Sequence, residues 1–409
     1  MLRISLPRLR RDLEALSRFG RTPEGGVTRP AWSPAHEEAR AWLLAQMKEA
    51  GLETRVDLAG NTFGSYGDRA PAVLTGSHID SVPDGGRLDG ALGVLAGLEC
   101  LRTIREAGIS LKRPLTVVAW SDEEGRYASL FGSKAFTGKL EAAKIPEMKA
   151  PDGERLLDAM ARAGFNAIEA PKAAAEPGSV AAYVELHIEQ GPHLEARDIP
   201  IGVVEGIVGI HRNRVVFQGE PDHAGTTPMA RRKDAFLAAA EYALKARELV
   251  VKNGSGRSVT NFGVVEVKPG VTNIVPARAS LLQEIRELEP KVLERLDREC
   301  AALAARVAKG RGLRVNVERI SRNEPARLAP EIQRAIEGAA AKFKLRTLRM
   351  PSGAGHDAQN LATVTRAGMI FIPSKRGKSH RPDEASDPRA IDRGANVLLH
   401  TLLTLVEAT

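Results

Sequence analysis

The sequence predicts an α/β domain interrupted by a smaller α+β domain. Strand-like and helix-like runs alternate through the first half, which argues for a largely parallel sheet. From about Val208 to Ile320 the order changes to βαββαβ, the split unit of ferredoxin-like folds. The strand–helix alternation then resumes. The expected division is 1–207 with 321–409 for the first domain and 208–320 for the insertion.

Each element has a local reason. Ser33 and Pro34 read as N-cap and first residue of a helix that ends at Gly51. Ala39, Trp42, Leu43, Gln46, Met47 and Ala50 trace its inner face. Strands are expected at 72–75, 115–120 and 181–186, with a helix over 91–107 between the first two. In the insertion, strands are expected at 214–218, 258–267, 279–286 and 313–319, and helices at 230–250 and 290–308. A helix over 330–343, a strand over 368–372 and a helix over 388–406 complete the chain. The stretch 170–177, rich in Ala, Pro and Lys, reads as a surface loop.

Composition excludes several classes. A chain of 409 residues with 43% hydrophobic and 27% charged content is ordinary for a globular protein of two domains. No apolar run approaches the roughly 18 residues of a membrane span, and no secretory h-region opens the chain. Cys100 and Cys300 sit in apolar-periodic helices, so buried free thiols in a reducing, cytoplasmic compartment are expected. Net charge is +8, but Lys and Arg are spread along helices and aromatics are only 4%. That pattern argues against a nucleic-acid partner and suits attraction of a small anionic substrate.

The chemistry lies where apolar runs end. His78 follows Ala-Val-Leu-Thr-Gly-Ser, Glu123 and Glu124 follow Leu-Thr-Val-Val-Ala-Trp, and His187 follows Tyr-Val-Glu-Leu. His380 comes shortly after Met-Ile-Phe-Ile, and Asp89 stands on a Gly-rich turn before a helix. In open α/β sheets, ligands bind beyond the C-terminal strand ends, so these residues converge if the strands share a sheet. Imidazoles and carboxylates are suitable ligands for Zn, Mn or Co. Two cations close together need a shared anionic ligand, a role that Asp89 can fill. One Glu of the pair can ligate while the other acts as base and proton shuttle. Asp80 can accept the second ring N–H of His78 and fix its tautomer. Each feature alone has a plain explanation: a satisfied core histidine, a solvated helix start, an Asp-Gly turn. Their joint placement at strand ends favours a metal site.

Several stretches together resemble the amidase, hydantoinase and carbamoylase family, relatives of the co-catalytic zinc aminopeptidases. They are Gly76-Ser-His-Ile-Asp-Ser-Val82, 85–99, Asp122-Glu-Glu-Gly125, 185–192, 223–229, 272–276, 352–358 and Ser379-His380. The resemblance implies a zinc-aminopeptidase-like domain with an inserted ferredoxin-like lid through which the chain forms a homodimer. It implies two divalent metal ions, Zn or Mn, Co or Ni. His78 and His187 would hold one, Glu124 and His380 the other, with Asp89 between them. Glu123 would be the base, and Asp80 would stand one layer behind the metal ligands. His223 would stabilise the oxyanion, and Asn273 and Arg286 would bind a substrate carboxylate. Gln190 would meet the carbamoyl group. In peptidase relatives an acidic residue takes the place of His187. The implied reaction is hydrolysis of a linear amide in an N-carbamoyl-L-amino acid or another ureido acid.

Plain alternatives stand beside these roles: Arg286 paired with Glu284, Gln190 capping a turn, His356 as support for its neighbours. The segment 126–131 is about two residues shorter than the family pattern, which leaves substrate preference open. The rival readings are an allantoate amidohydrolase or β-ureidopropionase, then a dipeptidase or N-deacylase on the same scaffold, then a silent binder of ureido acids.

Overall fold

A computed structural model describes residues 1–67 and 71–407. The chain divides into two compact units, Met1–Glu205 with Arg327–Thr409, and Gly206–Ala326. Among the described residues no helix is long and apolar enough to cross a membrane.

The larger unit opens with α1 (Leu6–Leu16), α2 (Pro34–Glu49), β1 (Glu53–Val56), β2 (Thr62–Tyr66) and β3 (Ala72–His78). Next come α3 (Ala91–Glu106), β4 (Leu115–Trp120), α4 (Phe131–Phe136), α5 (Leu156–Arg162), β5 (Val180–Ile188), α6 (His193–Ala196) and β6 (Ile201–Ile207). Ser33 caps α2 through its side chain, with Pro34 in the first turn, as its sequence predicts.

The smaller unit runs β7 (Gly209–Gln218), α7 (Ala235–Asn253), β8 (Val259–Lys268), β9 (Arg278–Glu287), α8 (Pro290–Gly310) and β10 (Arg314–Asn323). The chain then adds β11 (Ala326–Arg327), α9 (Pro330–Lys342), β12 (Thr347–Ser352), α10 (Ala358–Leu361), β13 (Arg366–Ile372) and α11 (Pro388–Glu407).

The large sheet has the order β1-β2-β4-β3-β5-β13-β6-β11, with β12 paired to β6. Its centre, β4-β3-β5-β13, is parallel. The flanks are antiparallel: β1 on β2, β2 on β4, and β6 on β13. The expected largely parallel sheet is therefore mixed. Sequence reading missed β1, β2, β6, β11 and β12, of which all but the seven-residue, mostly apolar β6 are short or partly polar. Period two sorts β5 into two faces. Ala182, Val184, Leu186 and Ile188 join the main core with residues of α1, α2, α3, α9 and α11. Tyr183, Glu185 and His187 take the other face and stay buried. A second cluster forms around Trp32, Phe131, Leu156 and Met160. Ala167–Ala173 is a 3-10 helix whose Ala170 belongs to that cluster, so 170–177 is not wholly a surface loop. Alanine buries readily, and the local composition hid its packing.

The smaller unit has the four-stranded order β10-β7-β9-β8, antiparallel throughout. With two helices this is the ferredoxin-like arrangement. The first helix begins at Ala235, not 230, because Asp234 caps it by accepting from the Phe236 and Leu237 amides. Cys100 and Cys300 are both free and buried.

Candidate metal centre

Because β4, β3, β5 and β13 run parallel, their C-terminal ends lie along one edge. His78 is the last residue of β3 and His187 the last but one of β5. Glu123 and Glu124 follow β4, and His380 lies in the segment after β13. Asp89 stands just before α3. Its neighbour Gly90 has φ +63, and a Cβ there would sit 2.5 Å from the His78 ring, so only glycine lets the turn approach.

The structure brings His78, Asp89, Glu123, Glu124, His187 and His380 together. His78 Nε2 and His187 Nε2 lie 3.4 and 3.2 Å from Asp89 Oδ1. His380 Nε2 lies 3.3 Å from Asp89 Oδ2 and 3.7 Å from Glu124 Oε1. One carboxylate thus turns one oxygen to a histidine pair and the other to His380 and Glu124. Glu123 Oε2 is 3.5 Å from His78 Nε2. His187 Nδ1 donates to the Ile188 carbonyl at 2.8 Å, and its Nε2, 3.2 Å from Asp89 Oδ1, accepts from the Gly90 amide at 3.2 Å.

Asp80 corrects an expectation. The Nδ1–H of His78 donates to the Asp80 backbone carbonyl at 3.0 Å, while the nearer carboxylate oxygen is 3.7 Å away. That carboxylate instead accepts from the backbone amides of Glu123 at 3.4 Å and Glu124 at 3.1 Å. Two amides at the β4 end outcompete one ring nitrogen, so Asp80 positions the Glu pair. The tautomer of His78 is still set, by backbone.

The electrostatics demand positive charge. Burial, then Asp89, pushes Glu124 up to about 7, and burial holds Glu123 well above the usual carboxylate range. Burial pulls His78 down, yet Glu123 and Asp89 carry its imidazolium well above normal. The bond to Asp89 raises His380 to about 9. Burial opposes ionisation of Asp89, but His187 and its fellow histidines drive it well below the normal range. Glu124 Oε1 and Gln190 Oε1 are buried without a hydrogen-bond partner. Imidazole and carboxylate donors around a charge-hungry, desolvated centre fit divalent ions.

Gln190 and His380 hold φ of +58 and +57, uncommon for residues with a Cβ. Such backbone costs about 1 kcal/mol each and is sustained where side chains must be aimed. Gln190 Nε2 donates to Asp89 Oδ2 at 2.7 Å. His356 is fully buried, 3.0 Å from Ser352 Oγ, and its ring stands edge-on to His187 at 4.6 Å. Burial, then His187, keeps it neutral, which suits support for its neighbour.

Sequence reasoning missed two carboxylates. Glu384 accepts from the amides of Leu88 and Asp89 at 2.9 and 3.1 Å and from Ser379 Oγ at 2.9 Å. It holds the Asp89 turn and the His380 segment together. The one sequence signal was Gly86, where a Cβ would fall 2.0 Å from the Glu384 carboxylate. Glu185, inside an apolar strand, accepts from Ser77 Oγ at 2.7 Å and the Ala358 amide at 3.1 Å. A charged residue in such a run was its signal. In the short segment after Glu124, Asp122 accepts from the amides of Arg126, Tyr127 and Ala128, which folds 126–131 into a tight loop.

In the smaller unit, His223 is exposed and its Nδ1 accepts from the amides of Gly225 and Thr226 at 3.0 and 3.2 Å. With Nδ1 accepting, Nε2 is the ring nitrogen left to act as a donor. Asn273 lies beside it, since its carbonyl accepts from the Ala224 amide at 3.0 Å. Arg286 lies elsewhere: its Nε donates to Glu284 at 2.6 Å. His223 and Asn273 extend the β7/β9 ladder beyond Arg278, and Arg286 is eight residues further along β9, about 26 Å at 3.3 Å per residue. Within one chain they do not meet.

Similarity to known proteins runs the length of the chain. It is 38% identical over 405 residues to an N-carbamoyl-L-amino acid amidohydrolase of Geobacillus stearothermophilus, covering 98% of each. It is 34% identical over 400 residues to an allantoate amidohydrolase of Bacillus subtilis, covering 96% of each. A solved amidase of the hydantoinase/carbamoylase family from Burkholderia multivorans superposes with TM-score 0.92 at 36% identity, covering 99% of this chain and 98% of that one. The pattern of peptidase family M20/M25/M40 matches residues 74–404. A parallel sheet edge carrying histidines around a shared carboxylate, within that match, leads to one conclusion: the chain belongs to peptidase family M20/M25/M40, a family of metal-dependent hydrolases.

Proposed function

We propose that the chain hydrolyses the linear C–N amide of an N-carbamoyl-L-amino acid, yielding amino acid, ammonia and carbon dioxide. The observation that carries this reading is the divided carboxylate of Asp89, one oxygen to each side. It supports two divalent ions, one at His78 and His187, the other at Glu124 and His380. Zn, Mn, Co and Ni all suit these donors. Such ions supply Lewis acidity to a water and to the amide carbonyl.

The chain's own groups do the rest. Glu123 takes the proton of the attacking water and hands it to the leaving nitrogen. Asp80 holds Glu123 and Glu124 by their amides. His223 donates Nε2–H to the developing oxyanion. Gln190 Oε1, buried and without a partner, can accept from the carbamoyl NH2. Asn273 and Arg286 bind the substrate carboxylate, and Arg286 can do so bidentately.

A homodimer through the inserted unit follows from the same reading. A substrate a few ångströms long cannot reach His223 and Arg286 of one chain, so two copies would complete each site. Leu237, Leu244 and Val251 are exposed at seven-residue spacing on α7, and Val259, Val264 and Val265 are exposed on the edge strand β8. An apolar stripe beside an open strand edge suits a second copy. Free buried cysteines fit a reducing cytoplasm.

The test is ammonia release from N-carbamoyl amino acids, allantoate, β-ureidopropionate, a dipeptide and an N-acetyl amino acid, with apoprotein reloaded with each metal. Preference for the dipeptide or N-acetyl substrate would sink the proposal.

A further inference from the structure

The smaller unit carries its own histidine–carboxylate cluster. His211 sits on β7, opposite Ile285 of β9 and Arg322 of β10. It is 1% exposed, and neither ring nitrogen has a hydrogen-bond partner. A buried imidazole left in this state is costly, and native interiors rarely keep one without a ligand or water. The nearest carboxylate does not satisfy it. Asp297 Oδ2 lies 3.9 Å from Nδ1, and Asp297 is already committed to Asn213 Nδ2 at 2.5 Å and Arg322 Nη2 at 2.7 Å.

Two other carboxylates face the ring. Glu294 projects from the start of α8 and Glu324 from just beyond β10, both exposed. A ring nitrogen of His211 and one oxygen of each lie within 4.8 Å of one another. We propose that His211, Glu294 and Glu324 form a divalent-cation site that ties β7, α8 and the end of β10 together. One neutral imidazole and two carboxylates balance a doubly charged ion, and water can complete its shell. The two exposed glutamates can swing to close the set around the ion. Burial, then the nearby Arg322, lowers the affinity of His211 for a proton, which keeps its lone pair available. Arg322 opposes the ion as it opposes a proton, but Glu294, Glu324 and its own partner Asp297 set three negative charges against that one positive charge.

The site is independent of the proposed hydrolysis, so its test reads metal rather than turnover. Metal-stripped full-length protein is titrated with Zn(II), and bound zinc per chain is measured by mass spectrometry after desalting. The expected result is about one zinc fewer per chain in Glu294→Gln/Glu324→Gln than in the unaltered protein. The rise in melting temperature on zinc addition should also shrink. His211→Asn should lose the same equivalent. If that buried change disturbs folding, the exposed double variant decides alone. Equal zinc counts in the double variant and the unaltered protein would overturn the site, whatever the Asp89 centre binds.

Discussion

The two sheets differ in how they deliver side chains. In the larger unit four parallel strands end on one edge, so His78, Glu123, Glu124, His187 and His380 arrive at one place. In the smaller unit the strands alternate direction, so functional candidates divide between opposite ends: His223 and Asn273 at the start of β9, Arg286 near its finish. A parallel edge concentrates groups for chemistry. An antiparallel sheet spreads them and can serve two sites at once, which a symmetric dimer would use.

Four experiments can break this contrast. If the parallel edge holds the chemistry, Glu123→Gln lowers kcat about 10³-fold, within the range for lost general acid–base catalysis, while metal content stays unchanged. Retained turnover removes Glu123 from the role. Next, His223→Asn lowers kcat about 10²-fold with a smaller effect on KM, as expected for an oxyanion donor. Co-expressing it with Glu123→Gln sharpens the point. If His223 acts across the dimer, mixed dimers regain activity, because one site keeps both groups. If it acts within its own chain, none returns.

Leu244→Glu tests the partner surface. Like charges facing across an interface cost several kcal/mol, so association should weaken at least about 100-fold in sedimentation, and hydrolysis should fall with it. A dimer that persists would place the interface elsewhere. The smallest effect is expected from Glu384→Gln. It removes charge from the support of the Asp89 turn and should weaken metal affinity about tenfold, read by competition with a chelator. Unchanged affinity would make Glu384 a loop brace only.

Much of the site was readable because its residues stand next to strong local signals. His78, Glu123 and His187 each close an apolar run, and Asp89 sits in a glycine-rich turn that a helix follows. Glu384 had only the remote Gly86 as a signal, since its own Arg-Pro-Asp-Glu-Ala setting looks like any polar loop. Its partners, the Leu88 and Asp89 amides, are almost three hundred positions away. Asp80 stands out in the sequence but its bond does not, because spacing cannot weigh a ring nitrogen against two distant amides. The antiparallel flanks of the sheet were missed since β1 and β2 are short and half polar.

Local order was thus set by the chain itself: which runs become strands and helices, where caps fall, and which side chains stand at strand ends. Period and propensity act over a few residues and need no distant partner. Long-range packing alone settled the rest: the division of Asp89 between two ligand groups, the bond Asp80 makes, the support from Glu384, and the isolation of His211. Each depends on groups brought together from far apart in sequence, and a distance between such groups is a property of the folded core rather than of any segment.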